Sequence, residues 1–483
     1  MVIVPVALPL AAACLYALFG WNRGTAWLGA LSAGGLLAAA VLLARAGRGS
    51  ALWGLLRVDA LSAYMLIVIG VVALLAMLAS PAYLRAELAA GHTGRRAARR
   101  YGIFTQCFIA AMAVAVLAAS LGVLWVAVEA TTILTAFLVG YRRTRKATEA
   151  AWKYVVICSV GIALALLGLV IVHYAAVHAK LSDGLDWVSL AGHAAELDPG
   201  VTRIAVVLLV LGFGAKAGLA PLHAWLPDAH SQAPAPVSAL MSGVLLSVAF
   251  YAILRVKVIS DGALGPGFGR ILLVAVALAS LAVAAALLIG QRDFKRMLAY
   301  SSIEHMGLIA LGAAIGNGLA LTAVLLHILG HGLGKSVLFI GSGQIQQAVG
   351  SSQIAAVRGL AARSPVLAGA FALGLLALVG LPPFSLFASE LGIARAGFTS
   401  GLGWAVAVAL ALMLVVLAGV GGAAGRMLLG DPGAAGARTP LRSGVVPLVA
   451  GLVACAALGV TLGPLKPLLD AATLVATVPG AAR

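Results

Sequence analysis

Fourteen apolar runs of about membrane-spanning length make up most of this 483-residue chain. A helix needs ~20 residues to cross a hydrocarbon core of ~30 Å. Backbone polar groups find no water inside a bilayer, so such runs must form helices. The chain is 63% hydrophobic and 10% charged, whereas soluble domains are about 45–50% apolar and about 25% charged. The sequence therefore predicts an all-α membrane protein, with runs at about 2–20, 26–44, 59–80, 102–119, 121–141, 154–177, 203–226, 235–255, 270–290, 297–315, 319–343, 365–391, 402–425 and 444–464.

The net charge of +17 is distributed unevenly between the two sides that the runs define. Loops that follow odd-numbered runs hold 19 of the 32 Lys and Arg residues, and loops that follow even-numbered runs hold 9. An excess of basic residues marks the cytoplasmic side of a membrane. The asymmetry predicts a multi-pass protein of the inner (cytoplasmic) membrane with both termini outside, facing the periplasm. It explains the charge without a nucleic-acid partner.

Cysteine usage gives no sign of a redox centre. Cys14, Cys107, Cys158 and Cys455 all lie in apolar runs, and no CxxC pair occurs. The pattern predicts neither an iron–sulfur cluster nor a disulfide framework. No GxGxxG opens a βαβ unit, and there is no P-loop. We therefore expect this chain to bind no cofactor of its own.

Two apolar runs are interrupted by glycine and proline. Gly218–Pro221 interrupts the seventh run, and Gly380–Pro383 interrupts the twelfth. Paired broken helices in corresponding positions are typical of membrane proteins that move ions at mid-membrane. Because the breaks are five runs apart, we predict an inverted repeat of helices 4–8 and 9–13. The expected divisions are an N-terminal three-helix region at 1–101, the two repeats at 102–256 and 257–430, and helix 14 with the tail at 431–483.

Two charged residues lie deep in the first predicted repeat. Lys216 directly precedes the first break, and Glu129 lies near the middle of run 5. A charged side chain at the centre of a spanning helix costs roughly 2.5–3.5 kcal/mol on insertion scales, so it usually serves ion transport and has a partner. We expect Glu129 and Lys216 to pair. The alternatives are a lysine that snorkels to the interface and a glutamate satisfied by Thr131, Thr132 or Thr135 of its own helix.

The second predicted repeat carries a row of groups that can exchange protons. His327, His331 and Lys335 follow one another at intervals of four residues, so they share one helix face. Glu390 follows the second break. The row indicates a proton relay, and structural hydrogen bonding is the alternative. It does not indicate a metal site, because a lysine continues the face and no H-E-x-x-H motif is present.

Several further polar residues are candidates for a secondary relay. Lys295 and Arg296 are expected to be cytoplasmic anchors, and Glu304 and His305 are expected to open the tenth helix as neighbours of the main pathway. The secondary candidates are His223, Asp228, His230, Ser242, Ser247, Glu304 and His305.

Four stretches of this sequence resemble the antiporter-like membrane subunits shared by respiratory complex I, Mrp cation/proton antiporters and group 4 [NiFe]-hydrogenases. The similarity is strongest to the hydrogenase-4 members of this family. The stretches are FGAKAGLAPLHAWLPDAHSQAPAPVSALMSGVLLSVAFYAILR (213–255), WVAVEATTILTAFLVGYRRTRKATEAAWKYVVICSVGIALALLG (125–168), FKRMLAYSSIEHMG (294–307) and GLPPFSLFASELGI (380–393).

The resemblance implies a fourteen-helix fold with two half-channels joined by a central polar axis. It assigns the helix 5 glutamate to Glu129, the helix 7 lysine to Lys216 and the terminal charge of helix 12 to Glu390. His327, His331 and Lys335 would form the helix 11 relay. In many relatives helix 8 carries a His or Lys, and this chain has Ser242 and Ser247 in that place.

The expected function is proton translocation by a membrane subunit of a complex I-like or group 4 hydrogenase-like assembly. Its expected partners are other membrane subunits and a soluble redox arm. The alternatives are an Mrp-like Na⁺/H⁺ antiporter subunit, the membrane half of a two-component inorganic-carbon uptake system with a soluble partner, and a scaffold with inactive channels. We expect H⁺ rather than Na⁺, because a hard cation requires several oxygen ligands and no carboxylate cluster is evident near Lys216.

Overall fold

The computed structural model describes residues 1–181, 184–430 and 444–477. The chain begins with two helices, a short antiparallel hairpin and a long third helix. The third helix starts at Asp59, whose carboxylate accepts a hydrogen bond from the Ser62 amide at 2.8 Å. These elements are α1 (Val4–Phe19), α2 (Leu28–Ala46), β1 (Gly49–Ala51), β2 (Leu56–Val58) and α3 (Ala60–Ala89).

The next part of the chain contains the first broken helix and a π-helical turn. The turn covers Met241–Leu245 and joins two α-helical segments of one continuous span. The helices are α4 (Arg95–Leu117), α5 (Leu121–Val139), α6 (Arg145–His178), α7 (Trp187–Gly192), α8 (Pro199–Lys216), α9 (Trp225–Gln232), α10 (Ala235–Leu240) and α11 (Leu246–Leu264).

The last part contains the second broken helix and two long helices that lie in the centre of the protein. The helices are α12 (Pro266–Leu288), α13 (Phe294–Ile315), α14 (Gly318–Val349), α15 (Leu360–Arg363), α16 (Pro365–Leu378), α17 (Ser385–Thr399), α18 (Gly403–Leu428), α19 (Val445–Val460) and α20 (Lys466–Thr477).

The structure confirms an all-α membrane fold. Over the described ranges, eleven helices are long and apolar enough to cross a membrane, or up to twelve if the bent pair α19–α20 is one span. Two further apolar helices, α1 and α16, are shorter than a full span. The count of fourteen, the inverted repeat and the four divisions of the chain stay predictions, and residues 431–443 and 478–483 of the last division lie outside the described residues.

Burial separates the central helices from those that face lipid. In the α10–α11 span, in α13 and in α14, all residues of the apolar 18-residue stretch are buried, whereas in α18 only 28% of them are. A helix that is covered on all sides can hold polar groups away from lipid, where each would be costly. The candidate pathway residues of α13 and α14 are therefore shielded from lipid by the rest of the fold.

Both glycine–proline motifs break their helices, as the sequence predicts. Lys216 ends α8 and Trp225 begins α9, and the second break separates α16 from α17. Gly218 and Gly380 have positive φ angles of 77° and 66°. At the first break, the Ala215 carbonyl accepts hydrogen bonds from the Gly218 amide at 3.3 Å and from the Trp225 Nε1–H at 2.9 Å.

One boundary differs from expectation. Glu304 and His305 lie in the middle of α13 rather than at its start, because α13 begins earlier, at Phe294. The Asp293 carboxylate accepts hydrogen bonds from the backbone amides of Lys295 and Arg296 at 2.9 and 3.0 Å. This N-cap extends the helix backwards through the basic segment. Glu304 and His305 are consequently carried into the buried centre.

Candidate functional site

The first group of polar residues surrounds Lys216 at the end of α8. The side chain is fully buried. Its Nζ donates to the Thr132 Oγ1 atom of α5 at 2.9 Å and to the hydroxyl of Tyr154 of α6. The same Nζ lies 4.8 Å from the centroid of the Tyr154 ring. Lys216 therefore does not snorkel; three helices enclose it.

Glu129 reaches Lys216 through one hydroxyl group. The Thr132 Oγ1–H donates to Glu129 Oε2 at 3.0 Å, while the same oxygen accepts from Lys216. Among the described residues, no carboxylate lies within the 4.0 Å ion-pair distance of Lys216 Nζ. Lys216 and Glu129 are thus joined through Thr132 rather than by a direct ion pair. Thr132 lies one turn after Glu129 and fills the space between the two charges.

Ser242 lies in the π-helical turn and contacts the second half of the chain. Its hydroxyl is 2.7 Å from that of Ser302 in α13, and both side chains are fully buried. A π-helical turn within an α-helical span is rare and is frequent at functional sites. Ser247, the other candidate of this span, is buried, and its hydroxyl has no hydrogen-bond partner within the described residues.

Lys335 of α14 is held by α13. Its Nζ donates to the Leu298 carbonyl at 2.7 Å and to Ser301 Oγ at 2.6 Å. Residues 298, 301, 302 and 305 lie on one face of α13, because they are three or four positions apart. That face is turned towards the α14 row.

Histidine side chains continue the row. His305 Nδ1 and His327 Nε2 are 3.0 Å apart, and the centroids of the His305 and His331 rings are 5.2 Å apart. Both ring nitrogens of His331 lack a hydrogen-bond partner within the described residues. His305 therefore lies between the two α14 histidines. The sequence predicts His305 as a neighbour of the pathway, whereas the structure places it in contact with the row itself.

Glu390 lies next to the far end of the row. His327 Nδ1 is 2.9 Å from the hydroxyl of Ser389, the residue before Glu390. The Glu390 carboxylate packs against Gly380 so closely that a Cβ atom there would overlap it. Its Oε1 is buried without a partner among the described residues. The Glu390 carboxylate therefore packs directly against the backbone of the second break.

The same end contains a cavity and a potential metal-ligand set. Glu304 and Glu390 both line a cavity of about 350 Å³ between α13, α16, α17 and α18. Donor atoms of His305, His327 and Glu390 lie within 4.8 Å of one another. Two imidazoles and a carboxylate could ligate a divalent cation. The sequence indicated no such set, because the ligands come from three helices.

The remaining candidates flank the first break. Asp228 of α9 forms ion pairs with Lys153 at 3.1 Å and with Arg296 at 2.5 Å. Its carboxylate thus links α9 to α6 and α13, and its predicted part in a secondary relay stays a prediction. His223 lies in the break, half-buried, and its Nδ1 has no partner among the described residues. His230 is fully buried and stacks on Phe339, with ring centroids 4.8 Å apart.

Lys295 is buried rather than anchored at the surface. Its side chain is 2% exposed, and its Nζ donates to the carbonyls of Ala233 at 2.9 Å and Ser231 at 3.3 Å. These carbonyls lie at the C-terminal end of α9, which a cation stabilises.

Sequence reasoning gave no role to Tyr154, Ser301 and Ser302, and treated Thr132 only as an alternative partner of Glu129. A usable signal was the i, i+4 spacing of Ser301 and His305, which places them on one face of the helix that follows the basic turn. Tyr154 carries no spacing signal, because its partner is on another helix.

Comparison with protein families gives a match over most of the chain. The family described as NADH:quinone oxidoreductase/Mrp antiporter, TM, matches residues 118–417. This range includes every residue of the candidate pathway, from Glu129 to Glu390.

Individual proteins extend the similarity. A hydrogenase-4 component F homolog of Methylacidiphilum infernorum is 37% identical over 417 residues, which cover 84% of this chain and 85% of that protein. NADH-quinone oxidoreductase subunit N of Desulforudis audaxviator is 32% identical over 352 residues, covering 71% and 68%. A chain of the membrane-bound sulfane sulfur reductase, an archaeal respiratory membrane complex, superposes with a TM-score of 0.88 at 25% identity, covering 100% of this chain and 99% of that one.

Proposed function

The chain belongs to the NADH:quinone oxidoreductase/Mrp antiporter transmembrane family, and from that premise we propose that it is an antiporter-like subunit that moves protons across the cytoplasmic membrane. The pathway consists of Glu129 and Lys216 in one half, with His327, His331 and Lys335 and then Glu390 in the other. His305 joins the second group.

The observation that carries the proposal is the row of buried proton-exchanging groups between α13 and α14. Lys335, His331, His305 and His327 follow one another along this interface, which is shielded from lipid. Buried ionisable groups in a membrane are costly and usually mark an ion pathway. Each histidine can accept a proton at one ring nitrogen and release one from the other.

In this proposal, movement of charge couples the Glu129–Lys216 group to the row between α13 and α14. Protonation of Glu129 would weaken its hydrogen bond with Thr132, because a neutral carboxyl is a poorer acceptor. Lys216 would then be free to shift towards the second half, where Ser242 and Ser302 bridge the π-helical turn to α13. The two halves thus form a charge-coupled two-state element.

The assembly is inferred from the relatives. The similarity to a hydrogenase-4 component covers most of both chains, and the superposed chain comes from a respiratory membrane complex. We infer that this chain assembles with other membrane subunits and with a soluble redox arm of the hydrogenase or complex I type. The distribution of Lys and Arg supports a topology with both termini outside.

Sodium transport is the second candidate, and one observation favours it. Glu304 and Glu390 share a cavity, and paired carboxylates are ligands for a hard cation. The groups next to Glu390 are the imidazoles of His305 and His327, within 4.8 Å, and imidazoles exchange protons and do not select sodium. We therefore retain H⁺ as the proposed ion.

The test is proton pumping by the whole assembly in proteoliposomes. Lys335→Ala should strongly reduce acidification of the lumen while the complex still assembles. Lys466→Ala is the matched control, since Lys466 is 65% exposed and its ion-pair partner in the described part of the chain is Asp470, an interaction worth little. Near-normal pumping by an assembled Lys335→Ala complex would reject the pathway.

A further inference from the structure

A groove unrelated to the proton pathway opens between α4, α5 and α6. Its volume is about 800 Å³, within the range of small-molecule sites. Residues 140–143, which connect α5 to α6, close one end. On the charge asymmetry of the loops, this end lies at the cytoplasmic face.

The walls of the groove are apolar and open to the side. Phe104 and Phe137 stack with ring centroids 5.0 Å apart. Phe137 and Ile133 are 58% and 57% exposed, and Val155 of α6 completes the opposite wall. Apolar side chains exposed at membrane depth face acyl chains, so one chain can lie along this surface.

The closed end is basic. Arg100 and Arg143 line the groove and are exposed. Neither guanidinium group makes an ion pair or hydrogen bond with any residue in the described ranges. The adjacent Arg142 differs, because its guanidinium is bound to the Glu87 carboxylate at 2.8 Å. Two guanidinium groups thus face the groove without an anion from the described part of the chain.

We propose that this groove binds one anionic glycerophospholipid. Its phosphate lies between Arg100 and Arg143, and one acyl chain lies along Phe104, Ile133 and Phe137. Charge complementarity selects this occupant: basic pockets between membrane helices on the cytoplasmic side attract anionic headgroups, and guanidinium binds phosphate in a bidentate manner. A neighbouring apolar helix would cover the walls but would offer no anion to the two arginines.

The test measures lipid binding to the purified full-length chain by native mass spectrometry, with phosphatidylglycerol and phosphatidylcholine titrated separately. The wild-type chain should prefer phosphatidylglycerol. Arg100→Ala/Arg143→Ala should lower that preference by about 10- to 30-fold, since each basic residue near a membrane surface contributes about one factor of five. Arg100→Lys/Arg143→Lys should retain most of it.

The matched control is Arg96→Ala/Arg99→Ala. These arginines are exposed on the first turns of the same helix but lie outside the groove, so this variant loses the same charge and should keep the preference. Ala136→Phe fills the groove and should weaken binding of both lipids. Equal loss in both arginine double variants would overturn the proposal in favour of diffuse attraction.

The assembled complex provides a second measurement. A photoreactive amino acid in place of Phe137 should capture a phospholipid after irradiation of native membranes. Capture of a neighbouring protein instead would overturn the lipid assignment and identify the groove as an interface between proteins of the complex.

Discussion

The Lys216 Nζ atom donates a hydrogen bond to the Thr132 Oγ1 atom at 2.9 Å, and this contact places a neutral hydroxyl between the lysine and Glu129. A hydroxyl group has one proton and can donate it to only one partner at a time. Because Thr132 donates to the carboxylate, it accepts from the ammonium group. In the proposed pathway, a change in either charge would therefore act on the other through the orientation of one O–H bond.

Replacing the bridging hydroxyl should impair pumping more than it impairs folding. Thr132→Val keeps the shape and removes the group, so pumping should fall about tenfold or more, as expected for loss of a hydrogen bond to a charged group worth about 1.5–3 kcal/mol. Thr132→Ser should recover most activity. Thr131→Val is the control, since the Thr131 hydroxyl bonds to the Val128 carbonyl of its own helix. Equal losses at both threonines would contradict a specific bridge.

Removal of either charge should stop transport. Lys216→Ala should abolish pumping in proteoliposomes without preventing assembly. Glu129→Gln should have the same effect, and Glu129→Asp should be milder because it retains the charge. If Asp and Gln reduced pumping equally, the carboxylate would matter for shape rather than for charge.

His305 should behave as a member of the main row. His305→Ala and His327→Ala should each reduce pumping strongly, and the double variant should be little worse than the worse single one, because residues in direct contact are non-additive. His178→Ala is the control: His178 is exposed and bonds to the Tyr174 carbonyl. Additive losses would indicate two independent roles.

Pumping by variants of Lys335 and His331 shows whether protons follow a single path along the row. His331→Ala and Lys335→Ala should each reduce pumping, with the double variant close to the worse single one. Independent, multiplicative losses in the same assay would place the two residues on separate routes.

The second break should tolerate no side chain. Gly380→Ala should lower the thermal midpoint of unfolding and the pumping rate, since alanine is disfavoured at φ 66° and its Cβ would displace the Glu390 carboxylate. Gly369→Ala in α16 has open space around the new methyl group and should leave both unchanged. A Gly380→Ala variant with normal stability and rate would refute the close contact with Glu390.

Sodium should have no effect if protons alone are transported. In the reconstituted assembly, a sodium gradient should neither drive nor inhibit turnover. Glu304→Gln should leave this indifference to sodium intact. Turnover that depends on sodium and survives a protonophore would favour the Glu304–Glu390 cavity as a cation site.

The sequence predicted the features that single segments carry. Isolated charges in apolar runs pointed to Lys216 and Glu390, and glycine with proline marked both breaks, because these signals depend on a residue and its chain neighbours. Partners on other helices carry no such signal. Thr132 as the bridge and His305 within the row both require the relative rotation of packed helices, which apolar composition does not specify.

The short segment α9 is fixed at both of its ends. At its start, the indole of Trp225 is bonded to the Ala215 carbonyl, and at its finish the Lys295 ammonium group is bonded to the carbonyls of Ser231 and Ala233. Arg296 and Lys153 also hold it laterally through Asp228. We therefore expect α9 to keep its position while Lys216 changes its rotamer, so the proposed movement of charge requires no displacement of this helix and no exposure of its backbone to lipid.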